Sequence, residues 1–203
     1  IERYEKAKNN SPSAVLEFER TRLNIWSNGA GGLISQENWD ACKVEGLDIN
    51  SFRGRRAWIG GDLASKNDIA SIGIIIDDPK TNDHITIFNE HFVPTKCPTF
   101  NHEEFGPLYD SWIRQGFMTL THGPVIDYGY IEARIRHWLG MFDVQAIVFD
   151  NYQSNQILSS LHEDGFPATQ YQPGTKSISD PSKDFFAKIT GGMISHDGNP
   201  ATA

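Results

Sequence analysis

The sequence lacks most features of a membrane, secreted or zinc-binding protein. Only two cysteines, Cys42 and Cys97, occur among 203 residues, and neither lies in a C-x-x-C pair, so a zinc ribbon has no support. No apolar run approaches the roughly 20 residues that span a bilayer. The first residues are charged and lack the apolar core of a signal peptide. We therefore predict a chain that does not use a membrane and whose two thiols are free.

The chain is also poor in positive charge. Asp and Glu number 26 against 18 Lys and Arg, which gives a net charge of −8. This argues against a protein that coats nucleic acid with basic residues, but not against a nuclease, because metal ions neutralise an active site built of carboxylates. Two local basic stretches, residues 53–56 and 134–137, either contact phosphates or form a solvated face. The G-x-x-x-x-G-K-[ST] phosphate loop is absent, and the GTKS run at 174–177 is too short to replace it.

Residue periodicity predicts an α/β chain with an N-terminal helical arm over residues 1–50 and a main domain over 51–203. Three consecutive strands followed by alternating helices and strands predict a mixed sheet flanked by helices. This order resembles the ribonuclease H-like fold, in which the first and fourth strands lie side by side. The predicted strands are 56–62, 70–77, 84–92, 117–121, 145–150 and 168–171, and the predicted helices are 1–20, 35–42, 101–116, 130–142, 153–163 and 183–190.

Two of the predicted strands end on a carboxylate. Asp62 follows an apolar run that ends in Gly60-Gly61, and Asp150 closes the apolar run at 147–149. Hard cations such as Mg²⁺ bind oxygen ligands, and a rigid strand end fixes such ligands well. Each residue also has a simpler interpretation: Asp62 caps the turn after its strand, or Asp150 caps the next helix. If the two strands are neighbours, the carboxylates converge on one metal site.

A His-Asp pair near the end of the chain is a further candidate. His196 or Asp197 supplies a third ligand or a base, or the run HDGNP at 196–200 is only a series of turn-forming residues. No G-x-S-x-G motif is present, and neither cysteine lies in a nucleophile signature.

Taken in order, five motifs resemble the nuclease domain of the large terminase subunit of tailed bacteriophages, in terminase family 1. They are LNIW at 23–26, ENW at 37–39, GGDLASKNDIA at 60–70, VFDNYQ at 148–153 and HDGNP at 196–200. The resemblance covers almost the whole chain. Each motif alone is modest, and the ordered set is more specific.

This resemblance implies a ribonuclease H-like, metal-dependent endodeoxyribonuclease that cuts concatemeric DNA with two Mg²⁺ or Mn²⁺ ions. Asp62 and Asp150 then correspond to catalytic metal ligands. In the family, a third acidic residue lies on a helix near the end of the domain. Here either Asp197 takes that place as a catalytic metal ligand, or the third ligand lies beyond residue 203, which we favour.

The implied setting is a viral DNA-packaging motor in the cytoplasm of the host cell. The expected partners are double-stranded DNA, the small terminase subunit, the portal protein and an ATPase domain that precedes residues 1–50 in the same full-length chain. We accordingly expect the sequence, which starts without Met, to be a piece of a longer protein.

Three alternatives remain open. The same fold also supports a strand-transfer enzyme of the integrase or resolvase type. A second possibility is a non-catalytic module of the packaging motor that contacts DNA or the portal. The third is an α/β domain that binds a small metabolite, in which both Asp residues are caps.

Overall fold

The computed structural model of the chain describes residues 34–64, 68–78, 81, 83–103, 105–151 and 154–202. The helix predicted over 1–20 and the motif at 23–26 lie outside these residues. The chain divides into two compact units, Ile1–Ala41 and Cys42–Ala203. In the first unit, helix α1 spans Gln36–Asp40 and begins at Ser35, whose side chain accepts a hydrogen bond from the Asn38 N–H. The prediction that residues 1–50 are an arm that follows an ATPase domain stays a prediction.

The second unit is built on one mixed sheet, which contains seven strands among the described residues. The strands are β1 (Arg56–Asp62), β2 (Ala70–Asp77), β3 (Ile85–Pro94), β4 (Thr119–Thr121), β5 (Asp143–Asp150), β6 (Ala168–Tyr171) and β7 (Ile194–His196). Their order in the sheet is β4-β3-β2-β1-β5-β6, and β7 pairs with β3. Strand β2 is antiparallel to both β1 and β3, whereas β5 is parallel to both β1 and β6. This confirms the predicted fold class, a ribonuclease H-like mixed sheet flanked by helices.

Helices α3 (Tyr128–Leu139) and α4 (Asn155–Glu163) pack on one face of this sheet and form the main core there. The alternation of β2 turns Ala70, Ile72, Ile74 and Ile76 inward. Helices α3 and α4 meet them with residues at helical spacing, each buried side chain contributing about 1.5–3 kcal/mol. The helices are α2 (Phe105–Gln115), α3 (Tyr128–Leu139), α4 (Asn155–Glu163) and α5 (Thr175–Thr190), with 3₁₀ turns at Ile49–Phe52 and Pro98–Asn101.

Two sequence predictions about the second unit are wrong. Helix α5 begins at Thr175 rather than at 183, because the Ser177 hydroxyl accepts a hydrogen bond of 2.9 Å from the Gly174 N–H and starts the helix there. Pro181 removes one backbone donor from α5 without ending it. Helix α2 begins at Phe105 rather than at 101, because Pro98–Asn101 forms a 3₁₀ turn instead. Strand β7 was not predicted at all.

Both cysteines are free, as predicted, and both are buried. Burial also raises the pKa of the Cys42 thiol above its usual value. Among the helices that the structure describes, none combines the length and apolar character that a bilayer crossing needs.

Candidate functional site

Asp62 and Asp150 lie at the ends of adjacent parallel strands. The register of β1 and β5 pairs Gly60 with Val148 and Gly61 with Phe149, so the next residue on each strand is one of the two aspartates. Neighbouring strands are about 4.8 Å apart. Ile59 and Ile147, also register partners, are buried on the helix-covered face. Because side chains alternate, both aspartates point to the opposite face. The structure therefore brings together the two carboxylates that the sequence singled out.

The two aspartates line one open cavity of about 290 Å³. Tyr171, the register partner of Asp150 on β6, also lines it, together with Pro173 and with Ile178 of α5. Sequence reasoning missed these three residues, because their position beside the carboxylates follows only from strand order and from the true start of α5. The cavity thus combines two acidic groups with largely apolar walls.

Asp150 is not the N-terminal cap of α4. The N-cap is Ser154, whose hydroxyl donates to the Asp150 backbone carbonyl. The Asp150 carboxylate is half-buried and lines the cavity. The capping interpretation of this residue is therefore wrong.

Gly61 leaves room for the Phe149 ring of the neighbouring strand. A Cβ atom at Gly61 would lie 2.7 Å from Phe149 Cζ and 3.0 Å from Ile72 Cγ2. At Gly60 the same atom would meet only the Val148 carbonyl oxygen, at 3.8 Å. Of these two glycines it is Gly61, directly before Asp62, that needs the absence of a side chain in order to pack.

A row of polar side chains continues from Asp62 across the sheet. Asp62 pairs with Ser71 on β2, and Ser71 pairs with His91 on β3. His91 Nδ1 lies 2.8 Å from the Ser71 hydroxyl, and its Nε2 lies 3.0 Å from the Thr202 hydroxyl. His91 is 6% exposed. Burial lowers the pKa of His91, and the Asp197 carboxylate partly opposes this effect.

We expect His91 to make the fold less stable as the pH falls below about 6.5, the usual pKa of histidine. The unfolded chain then binds a proton that the folded chain resists, so the free energy of unfolding decreases until the pH reaches the lowered folded pKa. His91→Gln is expected to flatten this dependence by at most about 1.4 kcal/mol per pH unit. Urea unfolding at about pH 7 and about pH 5.5 measures it. His122→Gln, at an exposed position, is the control. Equal slopes in the two variants would contradict the assignment to His91.

Asp197 and His196 lie elsewhere on the sheet. Asp197 follows β7, and strands β3 and β2 separate β7 from β1, which puts Asp197 roughly 14 Å from Asp62. Its carboxylate accepts a hydrogen bond of 3.0 Å from the Asn199 N–H. His196 is buried, and its Nδ1 accepts a hydrogen bond of 3.0 Å from the Gly198 N–H. Both residues therefore stabilise the turn after β7, and the structure does not bring them to Asp62 and Asp150.

A second cavity, of about 280 Å³, lies beside Asp197 at the β3 edge. Glu90 and Arg134 line it and form an ion pair of 2.8 Å. Burial raises the pKa of Glu90, and Arg134 opposes that shift.

In the part of the chain that the structure describes, no three His, Cys, Asp or Glu side chains form a group suited to hold a metal ion. The structure therefore does not bring Asp197 together with Asp62 and Asp150.

Arginines of both basic stretches form ion pairs with acidic side chains. Arg56 pairs with Asp77 at 2.5 Å, and Arg55 lies 3.8 Å from Asp78. In the second stretch, Arg136 contacts Glu132 and Asp164 at 2.8 and 2.7 Å. Arg134, in the same stretch, pairs with Glu90 at 2.8 Å. These contacts favour the interpretation of both stretches as a solvated, ion-paired face.

A family model and two curated proteins match this chain. A family model described as "Terminase large subunit, endonuclease domain" matches residues 2–203. The chain is 28% identical to Protein YmfN of Escherichia coli (strain K12), over 98% of this chain and 45% of that protein. It is 25% identical to the terminase large subunit of Enterobacteria phage HK97, over 93% of this chain and 37% of that protein.

The fold is also that of a solved terminase. The crystal structure of the HK97 bacteriophage large terminase superposes on this chain with a TM-score of 0.71 at 22% sequence identity. The superposition covers 98% of this chain and 41% of that one. The chain therefore spans less than half the length of the relatives that it matches.

Proposed function

This chain belongs to the family of terminase large subunit endonuclease domains, and on that premise we propose that it is a metal-dependent endodeoxyribonuclease. Its substrate is concatemeric viral DNA, whose phosphodiester bonds it hydrolyses. The observation that carries the proposal is the placement of Asp62 and Asp150 side by side on one face of the sheet.

The donor set suits a divalent cation. Mg²⁺ is commonly held by one or two carboxylates while the remaining positions are filled by water and substrate phosphates, and two oxygen donors on rigid strand ends match this demand. We propose that Asp62 and Asp150 would hold the two Mg²⁺ or Mn²⁺ ions of the site. Such ions, when bound, activate water and stabilise the departing oxygen. Asp197 is left out of this ligand set because two strands separate β7 from β1.

The other residues of the cavity shape the substrate position. Val148, Tyr171 and Ile178 supply apolar surface beside the carboxylates. Apolar walls lower the local dielectric and strengthen every charge interaction in the cavity. We propose that these three side chains contact the bound DNA beside Asp62 and Asp150.

The proposed partners follow from the packaging role. They are double-stranded DNA, the small terminase subunit, the portal protein and an ATPase domain in the same full-length protein, all in the host cytoplasm. The net charge of −8 and the ion-paired arginines give the chain alone little attraction for phosphates. The chain by itself is therefore expected to bind DNA weakly and to cut it with little sequence preference.

Incubation with supercoiled plasmid tests the proposal. With Mn²⁺ we expect nicked and then linear DNA, and with EDTA we expect no product. Branched donor DNA is added in parallel, because a strand-transfer enzyme would join the donor to the target. Joined products would favour the strand-transfer alternative. Intact plasmid with every divalent cation tried would favour a non-catalytic module.

A further inference from the structure

The polar row that runs from Asp62 to Ser71 and His91 lies beside the proposed metal ligands. We propose that Thr202, His91 and Ser71 form a hydrogen-bonded chain that positions the Asp62 carboxylate for cation binding. This inference rests on the proposed function, since it assigns positioning residues to the same site.

The geometry supplies two links as hydrogen bonds, and it places Ser71 and Asp62, the third pair, side by side on neighbouring strands. The Thr202 hydroxyl lies 3.0 Å from His91 Nε2, and the Ser71 hydroxyl lies 2.8 Å from His91 Nδ1. Ser71 is the direct cross-strand partner of Asp62. Such partners lie on the same face with Cβ atoms about 4.5–5.5 Å apart, within reach of a hydroxyl and a carboxylate.

A neutral His91 gives the chain a direction. A neutral imidazole has one donor and one acceptor nitrogen. If Nδ1–H donates to the Ser71 oxygen, Nε2 accepts from the Thr202 hydroxyl, and the Ser71 hydrogen is left to be donated to Asp62. In the proposed arrangement Ser71 would hold one carboxylate oxygen of Asp62, and the other oxygen would remain open to a cation. Residues that orient a metal ligand in this way commonly change metal affinity by about 10–100-fold when they are replaced.

A second Ser–His contact in the protein serves as a matched control. His84 Nε2 lies 2.8 Å from the Ser195 hydroxyl, the same separation as in the pair of His91 and Ser71. Ser195 pairs with Thr86 near the start of β3, at the far end from Asp62. Ser195→Ala therefore removes an equivalent Ser–His contact without touching the carboxylate row.

The experiment measures Mn²⁺ binding without DNA, by electron paramagnetic resonance of the unbound ion. Ser71→Ala is expected to raise the Mn²⁺ dissociation constant about tenfold, and Thr202→Val is expected to raise it less. Ser71→Thr retains the hydroxyl and should bind like the unaltered chain, as should Ser195→Ala. The melting temperature of each variant in EDTA is measured beside it, because a merely structural role would change that temperature and not the dissociation constant.

The outcomes separate the two proposals. A tenfold difference between Ser71→Ala and Ser195→Ala, at equal melting temperature, supports the positioning role. Equal dissociation constants in these two variants would overturn the inference and leave the proposed function standing. Failure of the unaltered chain to bind Mn²⁺ would overturn the proposed function, and the inference with it.

Discussion

Replacement of Asp62 or Asp150 with Asn is expected to reduce the rate of plasmid cleavage in Mn²⁺ by at least about a thousandfold. Asn keeps the size of the side chain and removes the negative charge that a hard cation requires. Metal ions contribute several kcal/mol to such reactions, and about 4 kcal/mol corresponds to a thousandfold. Because both side chains lie at the open cavity, the fold should survive. Initial rates of nicking, with circular dichroism of each variant, measure the effect.

Asp143→Asn is the matched control for this loss. Asp143 begins the strand that Asp150 ends. It is an exposed residue at the opposite end of the same strand. Its replacement should leave the rate of cleavage unchanged. A folded Asp62→Asn or Asp150→Asn variant with the activity of the control would end the nuclease proposal.

Gly61→Ala is expected to destabilise the fold by about 1–3 kcal/mol, the usual range when a packed core receives an extra methyl group. The new Cβ would collide with the Phe149 ring and press on Ile72. Phe149 directly precedes Asp150, so its displacement should also weaken cleavage. Urea unfolding measures the free energy, and the plasmid assay measures the activity.

Gly60→Ala provides the comparison. The added Cβ there would come no closer than 3.8 Å to the Val148 carbonyl oxygen, so its stability should stay close to that of the unaltered chain. Equal losses of stability in the two variants would show that backbone freedom, rather than the contact with Phe149, explains the glycine at position 61.

Local pattern was sufficient for the central elements of the fold. Strand β2 alternates strictly between buried and half-buried residues, and α3 buries Ile131, Ile135 and Trp138 at helical spacing. Both signals depend only on neighbours in the sequence. Strand β7 is three residues long and exists because it pairs with the start of β3, more than a hundred residues earlier. No local pattern contains that partner, so the prediction ended in a turn.

The site shows the same division. Asp62 and Asp150 were identified because each ends an apolar strand, and the fold class then made the strands neighbours. The neighbour of β1 that carries Asp150 is the fifth strand of the chain rather than the fourth, because the short β4 comes before it and pairs with β3 on the other side of the sheet. Asp197 also follows a strand, but at the distant edge, which spacing in the sequence does not reveal. No local motif marks Ser71 or His91, and only the register aligns them with Asp62.

The outer edge of β3 is shared between two short strands and an amide. Strand β7 covers residues 85–87 and β4 covers residues 92–94, while Asn199 donates to the Asn89 carbonyl between them at 3.3 Å. An uncovered edge of this kind is a template on which a second copy of a protein can add a strand. The segment after β7 therefore covers the gap between the two short strands. A truncation ahead of Asn199 would expose backbone groups of β3 there, and a second copy of the protein could pair with them.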